Sequence, residues 1–193
     1  GEGDVVFIGD SITQGWEGKG AKKVWDEAFG PYKPVNLGIS GDQTGHVLWR
    51  LTEGKEIEPL KPKLAVVMIG TNNTRDHSAE QIAGGIKAIV TELHKQKPDM
   101  KILLLGVFPR AGGVEKGADA PADKLNPKIK QINDIISKCA DEKTVFYKDI
   151  GPKFLNAEGG LERKVMPDLL HLSEDGYKIW ADAIKEDIAK LTK

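Results

Sequence analysis

A three-layer α/β/α domain, with helices on both faces of a five-stranded parallel sheet, is the fold the sequence predicts. Three observations lead to it. Five short runs are apolar on both faces, as strands covered from both sides are. Segments of helical spacing alternate with these runs to the end of the chain. No internal repeat, low-complexity tract or linker interrupts the series, so residues 1–193 read as one domain, and 193 residues suit one core.

The first strand is Val5–Gly9, and the others are residues 35–37, 64–70, 102–108 and 144–148. Helical spacing joins Ile82, Ile86, Ile89 and Leu93, then Leu125, Ile129, Ile132 and Ile136. The last series is Tyr177, Trp180, Ile184, Ile188 and Leu191. It follows Ser173, a side chain suited to an N-cap, with Glu174 and Asp175 in the first turn. Residues 110–124, rich in Gly, Ala, Pro and charge, predict a surface loop. Cys139 is the single cysteine, so no internal disulfide can form, and its place on the apolar side of a predicted helix makes it a core residue.

Charge and hydropathy exclude some partners. The 28 basic and 29 acidic residues are mixed along the chain and leave a net charge of -1, so no broad field is present to hold nucleic acid. The apolar runs fall far short of the ~20 residues needed to span a bilayer. The chain starts at Gly1, almost directly before the first strand, as expected where an upstream segment such as a signal peptide has been removed. Composition does not assign a compartment.

In an open parallel sheet the ligand crevice lies at the carboxyl ends of the strands. After the first strand, Gly9-Asp10-Ser11-Ile12-Thr13 permits a tight turn and puts Ser11 at a helix start, although Asp10, Ser11 or Thr13 would equally serve as a helix cap. After the second, Gly38-Ile39-Ser40-Gly41-Asp42 lets backbone N–H groups approach an anion, and by itself is only a turn. After the third, Gly70-Thr71-Asn72-Asn73 brings side-chain amides, which are also common turn residues. Ahead of the last helix, Asp168 precedes His171 by three residues. In a loop such a carboxylate can bond one ring nitrogen and leave the other free to take a proton. His46 and His94 fall in helical segments and His77 in a polar loop, where structural or solvated roles suffice.

Acyl transfer needs a nucleophile, a base, an orienting carboxylate and donors for the oxyanion, and all four occur at predicted strand ends or before the last helix. The chain has no G-x-S-x-G, G-x-G-x-x-G or G-x-x-x-x-G-K-[ST] motif. Two rivals remain. One is a metal-dependent phosphoesterase with Asp10, Asp42, Asp168 and His171 as ligands, although these lack a recognisable ligand spacing. The other is a non-catalytic carbohydrate-binding module.

The four blocks resemble those of the SGNH (GDSL-like) hydrolases, with Ser11 in GDSI, Gly41 in GISGD, Asn72 in GTNN and His171 in DLLHLS. The stretches His46-Val47-Leu48-Trp49-Arg50-Leu51, Ala83-Gly84-Gly85-Ile86 and Phe108-Pro109-Arg110 extend the likeness to the catalytic subunits of type I platelet-activating factor acetylhydrolase. The chain departs from the pattern at Ile12, Ser40 and Asn73 and in a longer loop at 110–124, none of which removes a catalytic group.

The resemblance implies a flavodoxin-like strand order, 2-1-3-4-5, and a serine esterase acting on short-acyl, above all acetyl, esters of a carbohydrate or a phospholipid. Ser11 would be the nucleophile, His171 its base and Asp168 the orienting carboxylate. The N–H groups of Ser11 and Gly41, with the Asn72 amide, would form the oxyanion hole. No cofactor or metal is implied, and a homodimer is the form its acetylhydrolase relatives take. If the third strand stayed extended through residues 70–73, only one of Asn72 and Asn73 could face Ser11. The family pattern assigns Asn72.

Overall fold

The computed structural model describes residues 3–193. Its strands are β1 (Val5–Gly9), β2 (Val35–Gly38), β3 (Leu64–Met68), β4 (Lys101–Leu105) and β5 (Val145–Lys148). They form one parallel sheet in the order β2-β1-β3-β4-β5, the order expected. The helices are α1 (Ser11–Gln14), α2 (Lys19–Phe29), α3 (Thr44–Thr52), α4 (Ala79–Gln96), α5 (Pro127–Ile136) and α6 (Glu174–Leu191).

Alternation along each strand divides the core in two, because successive side chains leave opposite faces of a sheet. Val5 and Phe7 of β1 join Leu64, Val66 and Leu103 under α2 and α6, against Trp25, Phe29, Trp180 and Ile184. Val6 and Ile8 join Ala65, Val67 and Leu104 under α3, α4 and α5, against Leu51, Ile86 and Ile132. The first layer is aromatic: the Phe7 ring lies 4.6 Å from Trp25, Trp16 lies 4.5 Å from Tyr177, and Phe108 lies 4.9 Å from Trp180. Such rings remove large apolar areas from water, at about 25 cal/mol per Å². That layer supports the helix carrying Ser11 and the loop carrying His171.

Three expectations are corrected. The third and fourth strands end at Met68 and Leu105, since Ile69, Val107 and Phe108 are buried as loop residues beyond the ladder. The fifth helix starts at Pro127, with Asn126 as its cap through a 3.0 Å bond from the Lys128 N–H, while Leu125 is extended and forms an antiparallel bridge with Ala111. Cys139 lies half-buried in a 3-10 turn that follows α5, not in the core.

The segment 110–124 is exposed along much of its middle but pinned at both ends. The Ala111 N–H donates to Leu169 O at 3.1 Å, and Ala120, buried, bridges Leu161. Among the described residues no helix is long and apolar enough to cross a membrane.

Candidate active site

Order 2-1-3 makes the loops after β1, β2 and β3 neighbours at one edge, and each contributes a predicted site residue. β1 ends at Gly9, where a Cβ would lie 2.1 Å from Thr13 Oγ1 and 2.5 Å from Met68 O, so only glycine lets the chain turn into α1 this tightly. Asp10 caps that helix by accepting the Ile12 N–H at 2.9 Å, and Ser11 is its first residue. The capping alternative thus falls to Asp10, and Ser11 keeps its hydroxyl for another partner.

That partner is His171. Ser11 Oγ lies 2.9 Å from His171 Nε2, and His171 Nδ1 lies 2.6 Å from Asp168 Oδ2. With Nδ1–H donating to the carboxylate, Nε2 presents its lone pair to the serine hydroxyl. Asp168 also organises its own loop, because Oδ1 accepts the N–H groups of Leu170 at 3.1 Å and His171 at 2.7 Å. The loop closes through Leu169 at φ +62°, a left-handed conformation held by burial of its side chain. Partial burial pushes the Asp168 carboxyl up, but the bonds from the His171 ring and backbone outweigh it and hold the group below the usual carboxylate range.

One contact joins the serine and histidine segments, and a second fixes the start of α6 against the histidine loop. Tyr177 of α6 donates its hydroxyl to Ile12 O at 2.7 Å, and Ser173, the α6 N-cap, donates to Lys164 O at 2.6 Å while accepting the Gly176 N–H.

The loop after β2 is held on three sides. Ser40 N–H donates to Gln14 Oε1 and Ile39 N–H to Gly9 O. Arg50 of α3, buried, donates through Nε to Asp42 Oδ2 at 2.9 Å, through Nη2 to Leu37 O at 3.0 Å and through Nη1 to Glu56. Gly41 lies at φ +82°, where a side chain would be strained although a Cβ would meet nothing within 4 Å. Neither the Ser11 nor the Gly41 N–H is taken by an acceptor among the described residues.

Asn72 and Asn73 diverge sharply. Residues 71–73 form a 3-10 turn instead of prolonging β3, so strand alternation does not separate them, as had been expected; their partners do. Asn73 is buried and accepts the Thr44 N–H at 3.0 Å, fixing the start of α3. Asn72 is half-buried and donates one amide N–H to Asp42 O at 2.9 Å, which leaves its second N–H for a ligand.

The sequence reading missed Arg50, Gln14 and Tyr177. Of these, Arg50 left a signal: a cation beside buried Val47 and Leu51, eight residues after Asp42.

The residues of the metal alternative are otherwise engaged. Asp10 is a buried cap and Asp42 is paired to Arg50, and no group of three or more His, Cys, Asp or Glu among the described residues is arranged to hold a metal ion. A mainly apolar cavity of about 620 Å³ opens beyond β4 and β5, beside Val107, Leu125, Ile129 and Leu155, and no predicted site residue lines it. A smaller one of about 360 Å³ reaches Gly41.

The sequence profile of the GDSL-like Lipase/Acylhydrolase family matches residues 7–179. The platelet-activating factor acetylhydrolase IB subunit alpha1 of Rattus norvegicus is 40% identical over 177 residues, covering 91% of this chain and 71% of the rat protein. A GDSL-like lipase structure from Bacteroides thetaiotaomicron superposes with a TM-score of 0.73 at 23% identity, over 96% of this chain and 87% of that one. An acetylxylan esterase structure from Geobacillus stearothermophilus gives 0.70 at 21% identity, over 97% and 95%. At these identities the two structures speak for the fold alone.

Asp10 is the electrostatic oddity of the site. It is fully buried, its Oδ2 has no partner, and burial raises its pKa to about 6, against the Ile12 N–H and the nearby His171, which lower it. The folded pKa therefore exceeds the unfolded value of 3.8. Below that value both states are protonated. Between about pH 4 and pH 6 the unfolded chain sheds the proton first, so stability falls as pH rises. Asp10→Asn keeps a capping side chain and removes the charge. Urea unfolding of both proteins at about pH 4 and pH 7 should show the mutant gaining on the wild type by up to roughly 3 kcal/mol. A difference that stays constant over this range would refute the assignment.

Proposed function

The chain belongs to the GDSL-like lipase/acylhydrolase family and is a carboxylic ester hydrolase, and from that premise we propose that it cleaves short-acyl esters, acetyl esters first, through an acyl-enzyme on Ser11. We read residues 1–193 as one such domain, since both core layers share a single sheet. The observation that carries the reading is the unbroken relay from Ser11 Oγ to His171 Nε2 and from His171 Nδ1 to Asp168.

In the proposed reaction His171 Nε2 takes the Ser11 proton as Oγ attacks the acyl carbon, and the carbonyl oxygen becomes an oxyanion. The N–H groups of Ser11 and Gly41 and the second amide N–H of Asn72 are the donors available for it. His171 then gives its proton to the departing alcohol oxygen as the C–O bond breaks. Water, deprotonated by the same ring, attacks the acyl-enzyme, and the returned proton frees Ser11 with release of the acid. Asp168 stays ionised and stabilises each imidazolium that forms. All three side chains come from one chain, so the chemistry requires no dimer.

The rat relative's name denotes an acetylhydrolase acting on platelet-activating factor, and that of the Geobacillus protein an esterase acting on acetylated xylan. The rat relative supports acetate as the acyl group, while the Geobacillus structure, at 21% identity, bears on the fold alone. The cavities point the same way, because no predicted site residue lines the apolar one and the one at Gly41 is small and partly polar. Turnover should fall from acetate to octanoate in a series of esters of one alcohol. Rising turnover along the series, or activation at a lipid interface, would overturn the short-chain assignment.

Covalent catalysis has its own test. An organophosphonate should add its mass to the tryptic peptide containing Ser11, and Ser11→Ala should abolish both labelling and turnover. Modification of another serine would remove Ser11 from the role.

The two asparagines should separate by observable. Asn72→Ala should lower kcat by about 10²-fold to 10³-fold, the usual loss for one oxyanion donor, with little change in Tm. Asn73→Ala strips a buried bond from the start of α3 and should lower stability by roughly 1–3 kcal/mol, with a smaller effect on kcat. The reverse pattern would place the amide donor one residue later.

A further inference from the structure

The cavity of about 360 Å³ that reaches Gly41 is lined also by Ser40, Asp42, His46, Trp49 and Arg50. Trp49 is 61% exposed. With Ile39 it makes up the exposed large hydrophobic side chains among the described residues, whereas Trp16, Trp25 and Trp180 are at most 6% exposed. Single apolar residues on a surface need no explanation. An indole left in water in the wall of a cavity that shares a candidate oxyanion donor is a different matter.

The polar lining narrows what could occupy it. Arg50 is the one full cation in the wall, and its guanidinium is committed to Asp42, Glu56 and Leu37 O. It cannot neutralise a phosphate, which disfavours phospholipid and nucleotide alcohols. His46 Nδ1 accepts the Gln43 N–H at 3.0 Å, so in the neutral ring the proton sits on Nε2, a hydrogen-bond donor. The Ser40 hydroxyl has no partner among the described residues, its backbone N–H being the group bound by Gln14. An indole face beside a hydroxyl and an imidazole, with Arg50 already committed, matches a sugar ring. Pyranoses present C–H bonds on one face and hydroxyls around the rim.

We propose that this cavity is the subsite for the alcohol part of the ester and that the alcohol is a sugar, stacked on Trp49 with its hydroxyls toward His46 and Ser40 and its acetyl group over Gly41. The assignment rests on the esterase reading above. Other occupants fit less well. Two apolar side chains fall far short of the ~800 Å² per partner that a stable contact between copies buries. They also form no broad apolar face for a lipid surface, and among the described residues lining the cavity Arg50 is the one Lys or Arg.

Two measurements test the proposal. In Ser11→Ala, which cannot turn over, titration with a monoacetylated methyl xyloside should change the intrinsic fluorescence saturably, because Trp49 is the exposed tryptophan. The response should vanish in Ser11→Ala/Trp49→Ala. In kinetics, the preference in kcat/KM for the xyloside acetate over ethyl acetate should fall roughly tenfold in Trp49→Ala and be largely kept in Trp49→Phe. An unchanged preference, or no fluorescence response, overturns the subsite. An equal fall in the preference for phenyl acetate over ethyl acetate would mean that the platform takes aromatic alcohols, and a change in oligomeric state of Trp49→Ala on sedimentation would mean a second copy; either result overturns the sugar assignment. Failure of the esterase reading looks different: wild type would cleave none of the three esters, or Ser11→Ala would still cleave them, whatever the fluorescence shows.

Discussion

The register at the carboxyl end of β1, where Gly9 pairs with Gly38 on one side and with Met68 on the other, determines where chemistry can occur. Parallel neighbours in register deliver three loops to one edge at the same height. A side chain at Gly9 would strike Thr13 and the Met68 carbonyl, and one at Gly38 would strike the backbone of Thr13 and Gln14. Without those atoms the first turn of α1 drops between the two strand ends. Ser11, Gly41 and Asn72 are thereby set on one edge, and His171 reaches it from a separate loop.

The edge is polar, and its interior is costly. Asp42 and Arg50 are both buried, and taking two charges out of water is repaid only when the remaining donors and acceptors are met. Arg50 meets this condition through its fork, with carboxylates on two nitrogens and a β2 carbonyl on the third. The pair then does more than neutralise itself. It fixes the residue whose carbonyl receives the Asn72 amide, so the loops after β2 and β3 are bound through one carboxylate and one guanidinium. Asp10 contrasts with this, as its second oxygen is left without a partner. The charge there is tolerated, not welcomed, and lies close enough to His171 for the ring to offset part of the cost of burial.

The sheet and the blocks that meet at the candidate site were legible because they depend on local signals. Strand runs, the Ser173 cap and a carboxylate three residues before a histidine are all written in adjacent residues. Strand ends were not, since Ile69, Val107 and Phe108 are as apolar and as buried as ladder residues, and hydrophobicity does not record backbone pairing. The start of α5 was misread for a related reason: Leu125 continues the apolar period while the Asn126-Pro127 pair marks the true boundary. Cys139 was placed in the core by the same extrapolated period, beyond where α5 gives way to a 3-10 turn. Gln14 and Tyr177 act across gaps of 26 and 165 residues, which no window along the chain can register.

The division of labour between edge and loop bears on how the relay is kept in register. Nothing in the sheet holds His171; its ring is oriented by Asp168 Oδ2 while the other oxygen of the same carboxylate ties down two backbone N–H groups of the loop. A single carboxylate thus sets both the conformation of the loop and the tautomer of the base, and Leu169 is driven into a left-handed turn to allow it. The loop in turn is joined to the edge through α6, whose Tyr177 hydroxyl reaches the carbonyl one residue after Ser11. That hydroxyl is buried, and its pKa is pushed up by burial and by Asp10, so it keeps its proton and remains a donor. The Ser11 and His171 segments are therefore linked through a neutral hydrogen bond beside an aromatic layer, and not through a charged group.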